Sequence, residues 1–437
     1  MKTNKVLNRQ MFELTRELEF FTEKELTMQI GHPKNYWRVS LLKELIDNAL
    51  DACEVSDIQP EITVEDAKGY FSVDDNGPGL KAETIQKSLN FLTRTSDKQF
   101  YVSPTRGQMG NALKTVWAAP FVALGEGEII IESQGERHVI KVSLDRIAQK
   151  PVIERSTTKS PVKKGTKVTI QWPDSPRLED EENADSYKAP LETGELVTWY
   201  SAFNPHAIFH FKGKTYKGTV AGWGKWRTDY PTSAHWYNEF QLRDLIAGYL
   251  ALERDGAKPK TVREFVTEFR GLAGTAKGKI IIKDFSGVYL HDLMKDNDIN
   301  MDVVKKLLTA MKANSKPVKS YAMGLVGEKH LRAWADANIK IASKSFKYIK
   351  RQGVDADGGG ALPYSIEVVF ALKEDKKAKR SIITGLNWSP TLGVPAEEIS
   401  DVIGEVRIAD HQPVVLIIHL TKPRFGFVDR GKTRMEL

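Results

Sequence analysis

The chain has 437 residues, 41% hydrophobic and 28% charged, enough for two or three packed domains and unlike a disordered or fibrous sequence. A formal charge of +7, from 64 basic and 57 acidic residues, permits a polyanionic partner without requiring one. The single cysteine, Cys53, excludes a disulfide framework and a cysteine-based zinc site and fits a reducing cytoplasm. No run approaches a membrane span and no apolar signal core opens the chain, so a cytoplasmic protein without a membrane partner is expected.

Residues 1–30 mix Phe, Leu, Glu and Lys at helical spacing. The next stretch organises the rest. Leu41, Leu42, Leu45, Ile46, Ala49 and Leu50 recur as one apolar helix face. Glu44, Asp47, Asn48 and Asp51 fall on the other face, and Glu44 and Asn48 stack one turn apart. A carboxylate beside a carboxamide can hold a water and a Mg²⁺ next to a phosphate chain. On its own the pattern also fits an ordinary amphipathic helix with a solvated acidic face.

Gly69 to Val73 reads as a strand. It runs into Asp75-Asn76-Gly77-Pro78-Gly79, a tight turn in which backbone can approach a ligand closely. Asp75 at the strand end is a candidate acceptor for a donor such as an adenine amino group; a plain hairpin turn is the simpler alternative. Thr105-Arg106-Gly107-Gln108-Met109-Gly110-Asn111 leads into the helical pattern of Ala112, Leu113, Val116 and Trp117. Bare amides at such a helix start could hold phosphates. Gly127–Glu132 alternates as a strand, and Gly165-Thr166 opens another over Lys167–Ile170.

Leu178–Asn183 is an acidic surface link. Helix then strand follows around Asn204-Pro205-His206. Residues 229–315 read as helices separated by Gly and Pro, beginning near His235. A turn follows at Met323–Glu328, and Gly353 to Gly360 reads as a flexible loop. Tyr364–Ala371 and Pro413–Leu420 read as strong strands with a helix near Ala396–Val402 between them. There is no P-loop and no His-Glu-x-x-His helix. Asp296-x-Asp298-x-Asn300 lacks the glycine and closing glutamate of a calcium loop, since Met301 and Leu307 stand there.

Glu44-x-x-x-Asn48, then Asp75-x-Gly77-x-Gly79, then the Gly-rich segment at 106–112, then Gly165-Thr166 together resemble the GHKL ATPase family of gyrase, Hsp90, histidine kinases and MutL. Arg106-Gly107-Gln108 and the wording Glu44–Ala52 resemble most the B subunit of type IIB DNA topoisomerases. The resemblance implies an α+β chain in three parts. Residues 1–228 would form a Bergerat α/β sandwich ATPase domain with an N-terminal strap. Residues 229–315 would form a small helix-two-turn-helix-like domain, and residues 316–437 a transducer-like β-α-β domain.

It also implies the site. Asp75 would bind adenine with Thr166 near it, and Asn48 would ligate Mg²⁺. Gly77, Gly79 and the lid Arg106, Gly107, Gln108, Met109, Gly110, Asn111 and Ala112 would enclose ATP. Glu44 would activate water, and Lys432 would reach the γ-phosphate as a switch lysine. An ATP-dependent homodimer clamping duplex DNA is the function this implies. A separate tyrosine-bearing A-subunit-like protein would cut the DNA, because this sequence offers no cleaving domain. The alternative is a standalone GHKL clamp or remodeller of a mobile-element or defence system. Two departures stand out: Ala112 replaces a further lid glycine, and the resembled subunit continues past its switch lysine into a long helix that grips the A subunit, whereas this sequence ends at Leu437.

Overall fold

A computed structural model describes residues 20–91, 101–106, 112–145, 150–172, 191–222, 224–274, 276, 280–296, 298–356, 359–395, 399, 401, 404–405, 408–427 and 435–436. Among these, no helix is long and apolar enough to cross a membrane.

The N-terminal half is a mixed sheet with helices on one face. Helix α1 (Glu23–Ile30) is capped by Thr22, whose side chain accepts from the Glu25 amide, and ends at Gly31 in the left-handed region. Helix α2 (Trp37–Val55) buries the apolar face read from the sequence. Strands β1 (Glu61–Ala67) and β2 (Tyr70–Asp75) form a hairpin. Helices α3 (Ala82–Ser88) and α4 (Ala112–Leu124) follow. Strands β3 (Gly127–Ser133), β4 (Glu136–Asp145), β5 (Lys150–Lys159) and β6 (Thr166–Gln171) come next, then helix α5 (Thr193–Phe203) and strands β7 (Ile208–Phe211) and β8 (Lys214–Tyr216).

The sheet order is β5-β4-β3-β6-β2-β1-β7-β8, antiparallel except for the β1–β7 pair. Alternation explains the one-sided cover. Ile129, Ile131, Ile140, Val168 and Ile170 face the helices and are buried, while Glu65, Lys167 and Gln171 stay on the other face. One apolar core joins these strands to α1, α2, α4 and α5.

The second half has its own core. Asn238 and Gln241 form a capping box at the start of α6 (Glu239–Arg254), and Thr261 with Glu264 does so for α7 (Val262–Thr267). His235 thus sits in a short 3₁₀ turn rather than in the first helix. A small hairpin, β9 (Met294–Lys295) and β10 (Asp298–Ile299), precedes α8 (Met301–Asn314), which Asn300 caps through the Asp302 and Val303 amides. Helix α9 (Glu328–Asn338) leads to β11 (Lys347–Asp355), β12 (Leu362–Leu372), β13 (Ser381–Leu386), β14 (Ser389–Pro390) and β15 (Val414–Thr421).

Their sheet runs β11-β12-β15-β13-β14, with β13 and β15 parallel. Helices α6 to α9 and this sheet share one continuous apolar core, which also takes in Val102 and Phe203 from the first half.

Gly353 does not begin a loop. It lies within β11 opposite Tyr364, and a Cβ there would meet the Tyr364 ring at 2.7 Å. Cross-strand pairing overrides the local glycine signal. The acidic link at Leu178–Asn183 lies outside the described residues, as does most of the helix expected near Ala396–Val402.

Candidate functional site

A solvent-open cleft lies between α2, the β2 end and α4. Leu45, Ala49, Ala52, Val73, Leu80, Leu113, Trp117 and Val168 form its walls, and Asn48, Asp75, Gly79 and Thr166 are its remaining lining. Apolar walls with a few convergent polar groups are the usual make-up of a small-molecule site.

Asp75 is fixed by its neighbours. Its Oδ1 accepts from the Gly77 amide at 2.8 Å, and Thr166, its β6 partner, supplies a second backbone N–H. Burial nevertheless pushes its carboxyl up to about 6, against the pull of those two amides, and Asp74 adds to the rise. The turn leaves no room for side chains. A Cβ on Gly165, at φ +75°, would stand 1.7 Å from the Asp75 carbonyl oxygen, and one on Gly79, at φ +86°, would meet Ser133 Oγ at 2.8 Å. Gly77 packs over Cys53, whose thiol burial pushes up to about 12 with help from Asp75 and Glu54. Asn76 staples the turn to the start of β1: its side chain donates to the Gln59 carbonyl and accepts from the Glu61 amide.

Asn48 is exposed at the rim, and Glu44, half-buried, lies one turn earlier on the same helix. The intervening acid is not solvated. Asp47 accepts from Tyr200 Oη at 2.7 Å, from Ser389 Oγ at 2.8 Å and from Lys43 Nζ at 3.0 Å. Burial opposes the charge on Lys43, but Asp47 and then Glu44 outweigh it and raise its pKa.

Arg106 departs most from the expectation of a phosphate-facing lid residue. Its guanidinium is buried and donates to Asp51 at 2.7 Å, to both oxygens of Glu54 at 2.7 and 2.9 Å, and to Asn204 at 2.5 Å. Lys225 also reaches Glu54 at 2.5 Å and stacks 4.1 Å from the Trp388 ring. Burial alone would raise the Glu54 pKa; Arg106 and Lys225 hold it well below the usual carboxylate range. Burial and Arg106 bring Lys225 down to about 8 despite Glu54. Asp51 and Glu54 therefore belong to a buried ion network rather than a solvated face.

The cleft thus brings together Asn48, Asp75, Gly79 and Thr166, with the Gly77 amide on Asp75 and Glu44 one turn from Asn48. Gly107, Gln108, Met109, Gly110, Asn111 and Lys432 lie outside the described residues, as does the side chain of Ala112. Leu113 and Trp117 line the cleft without having been singled out for it, although their helical spacing placed them on one face. Gly165 is the other addition; its pairing with Thr166 at a strand start was the available signal. Among the described residues no group of three or more acidic, His or Cys side chains is placed to hold a metal. At the rim of the cleft the Asn48 carboxamide oxygen is a donor suited to a hard cation beside a ligand's own oxygens.

Residues 38–176 match the family model described as histidine kinase-, DNA gyrase B- and HSP90-like ATPase. Curated relatives are type 2 DNA topoisomerase 6 B subunits. That of Natronomonas pharaonis is 28% identical over 181 residues, covering 40% of this chain and 21% of its own. That of Archaeoglobus fulgidus is 27% identical over 203 residues, covering 44% and 32%. The matched regions thus span only about a fifth to a third of these two relatives' length. That of Sulfurisphaera tokodaii is 22% identical over 433 residues, covering 90% of this chain and 74% of its own. Among solved structures, the ATPase region of Saccharomyces cerevisiae topoisomerase II aligns at a TM-score of 0.40 and 12% identity, covering 91% of this chain and 76% of that one. The resemblance read from the motifs therefore holds: residues 38–176 carry a GHKL-type ATPase domain, in a chain similar to topoisomerase 6 B subunits.

Proposed function

We propose that this chain hydrolyses ATP in the α2–β2 cleft and uses it to close a homodimeric clamp on duplex DNA. It would act like the B subunit of a type IIB topoisomerase, beside a separate DNA-cleaving A-subunit-like protein. The observation that carries the nucleotide part is Asp75: a desolvated carboxyl at the end of an apolar cleft, with Asn48 at the rim and Glu44 one turn away. The apolar walls suit a heteroaromatic base, and Asp75 supplies the acceptor that an exocyclic amine needs.

In this reading Asp75 accepts from adenine, and the Thr166 hydroxyl lies beside it. Asn48 would hold Mg²⁺, which when bound neutralises phosphate charge. Glu44 orients and deprotonates the attacking water. The backbone from Gly107 through Gln108, Met109 and Gly110 to Asn111, ahead of the Ala112 helix start, donates to the phosphates. Lys432 stabilises the departing γ-phosphoryl charge. The three-part plan of 1–228, 229–315 and 316–437 goes with this reading. Its topoisomerase part rests on the similarity along 90% of the chain to the Sulfurisphaera tokodaii protein.

The test is ATP turnover with Glu44→Ala. We expect nucleotide affinity near that of the parent and a rate lower by about 10²–10⁴-fold, as for a lost general base. Unchanged turnover would remove Glu44 from the mechanism, and an inactive parent would remove the ATPase reading. Supercoil relaxation with and without a candidate cleaving partner tests the topoisomerase part.

A further inference from the structure

The β13–β14 turn is a two-residue hairpin, Asn387-Trp388, with both residues in the left-handed region (φ +46° and +67°). Asn tolerates this conformation; a tryptophan there is strained and needs a surrounding that holds it. The surroundings do so. Trp388 is fully buried. Its amide donates to His419 Nε2 at 3.3 Å, and its carbonyl accepts from Asn204 at 2.9 Å. His419 Nδ1 in turn meets Glu367 at 3.1 Å, and Glu367 also accepts from the Val326 and Gly327 amides. With Nδ1 donating, Nε2 is left as the acceptor that the Trp388 amide requires.

The hairpin tip reaches out of its own sheet in two directions. Ser389 Oγ donates to Asp47 at 2.8 Å, on the turn of α2 between Glu44 and Asn48. Asn387 Nδ2 donates to the Thr105 carbonyl at 3.3 Å and to the Lys422 carbonyl at 3.0 Å. Thr105 directly precedes Arg106 and the glycine-rich segment. That stem is gripped from the helical part as well: the Val102 amide donates to Tyr237 Oη at 2.9 Å, Thr232 Oγ1 donates to the Val102 carbonyl at 2.7 Å, and Tyr101 Oη meets Tyr249 Oη at 2.5 Å.

We propose that Ser389 and Asn387 are positioning residues for hydrolysis: the hairpin tip of the C-terminal sheet holds the Glu44–Asn48 turn through Asp47 and the base of the glycine-rich segment through Thr105. A shift of that sheet relative to α2 then changes the aim of Glu44 and the position of Thr105 together. This route is independent of Lys432. It rests on the ATPase reading for its consequence and on the buried contacts for its existence. A displacement of about 1 Å at a catalytic group can cost about 100-fold in rate.

The test uses the full chain with Ser389→Ala, Ser389→Thr and Asn387→Gly. Glycine accepts the positive φ of position 387, so that variant removes the side-chain contacts without straining the turn. We expect Ser389→Ala and Asn387→Gly to lower kcat roughly ten- to hundredfold, with KM for ATP within about threefold and Ser389→Thr close to the parent. A second readout needs no turnover: amide hydrogen exchange should quicken over Glu44–Ala52 in Ser389→Ala and stay parent-like in β3 and β4. Parent-like kcat, or a loss that follows a lowered unfolding temperature and is not restored by Ser389→Thr, would overturn the proposal. An inactive parent would refute the ATPase reading alone; the exchange result then decides, and unchanged exchange over Glu44–Ala52 would overturn the positioning role.

Discussion

Asp75 and Glu54 are two carboxylates withdrawn from water on either side of Cys53, and their environments push them in opposite directions. Asp75 is met by two backbone amides and, among the described residues, by no lysine or arginine; burial wins and its carboxyl rises to about 6. Glu54 is more deeply buried, yet Arg106 and Lys225 overcome the cost and hold it well below the ordinary range. A buried carboxylate already supplied with cations is fixing elements to one another. One left short of donors in an apolar cleft is placed for a donor from outside. Burial alone would push both carboxyls up, Glu54 the more; the partners separate a structural tie from a binding site.

The contrast is sharpest for Arg106→Ala. It would leave Asp51 and Glu54 buried with one cation fewer, a change that typically costs 3–5 kcal/mol, so about that loss is expected in denaturant unfolding. A loss under about 1 kcal/mol would mean the network is solvated, and the comparison would fail.

Asp75→Asn should act the other way. It keeps an acceptor for the Gly77 amide and removes the desolvated charge, so the ligand-free protein gains about 1–3 kcal/mol near neutral pH. Adenine nucleotide binding should weaken by about 1.5–3 kcal/mol, the worth of a hydrogen bond to a charged group. Calorimetric titration and unfolding of the same sample check both signs, and a destabilised Asp75→Asn would show that its carboxylate is paired after all.

The two carboxylates also leave opposite marks on pH dependence. Asp75 binds its proton more tightly folded than unfolded. Its unfavourable charge is absent below the ordinary carboxylate range and sets in as pH rises through about 6. The stability gap between Asp75→Asn and the parent should therefore close on going from pH 7 to about 4. Glu54 contributes stability above its ordinary range and loses it only as pH falls through its depressed folded value. Unfolding midpoints of parent and variant across pH 4–7 test this, and a constant gap would contradict the raised Asp75 value. The smallest effect is expected for Thr166→Val, about 0.5–1.5 kcal/mol in nucleotide affinity with little change in the fold.

Local patterns in the sequence carried the cleft well. The period of Leu41 to Leu50 gives α2 its buried face, and the glycines around Pro78 give the turn that presents Asp75. What the pattern could not carry is who meets whom across the chain. Arg106 pairs with residues 52 and 55 positions earlier and 98 positions later. In a linear reading it is only the first residue of a glycine-rich segment. Asp47 looked solvated because its partners Tyr200 and Ser389 lie far along the chain. The strained Trp388 gave no local sign, since hairpin turns usually advertise themselves with Asn-Gly or Asp-Gly. Gly353 misled in the reverse sense, its flexibility cancelled by its opposite strand.

Cys53, the one cysteine of the chain, sits with its sulfur directly under Gly77. A thiol displaced to about 12 and shut from solvent does not react with an alkylating reagent while the turn is closed. It can be labelled only in the moments when the Gly77–Gly79 turn lifts and the thiol regains an ordinary ionisation. The labelling rate thus acts as an internal clock for opening of that turn, read by mass with no engineered tag. A ligand that seats on Asp75 should slow that clock, and its concentration dependence would return an affinity without any measurement of turnover.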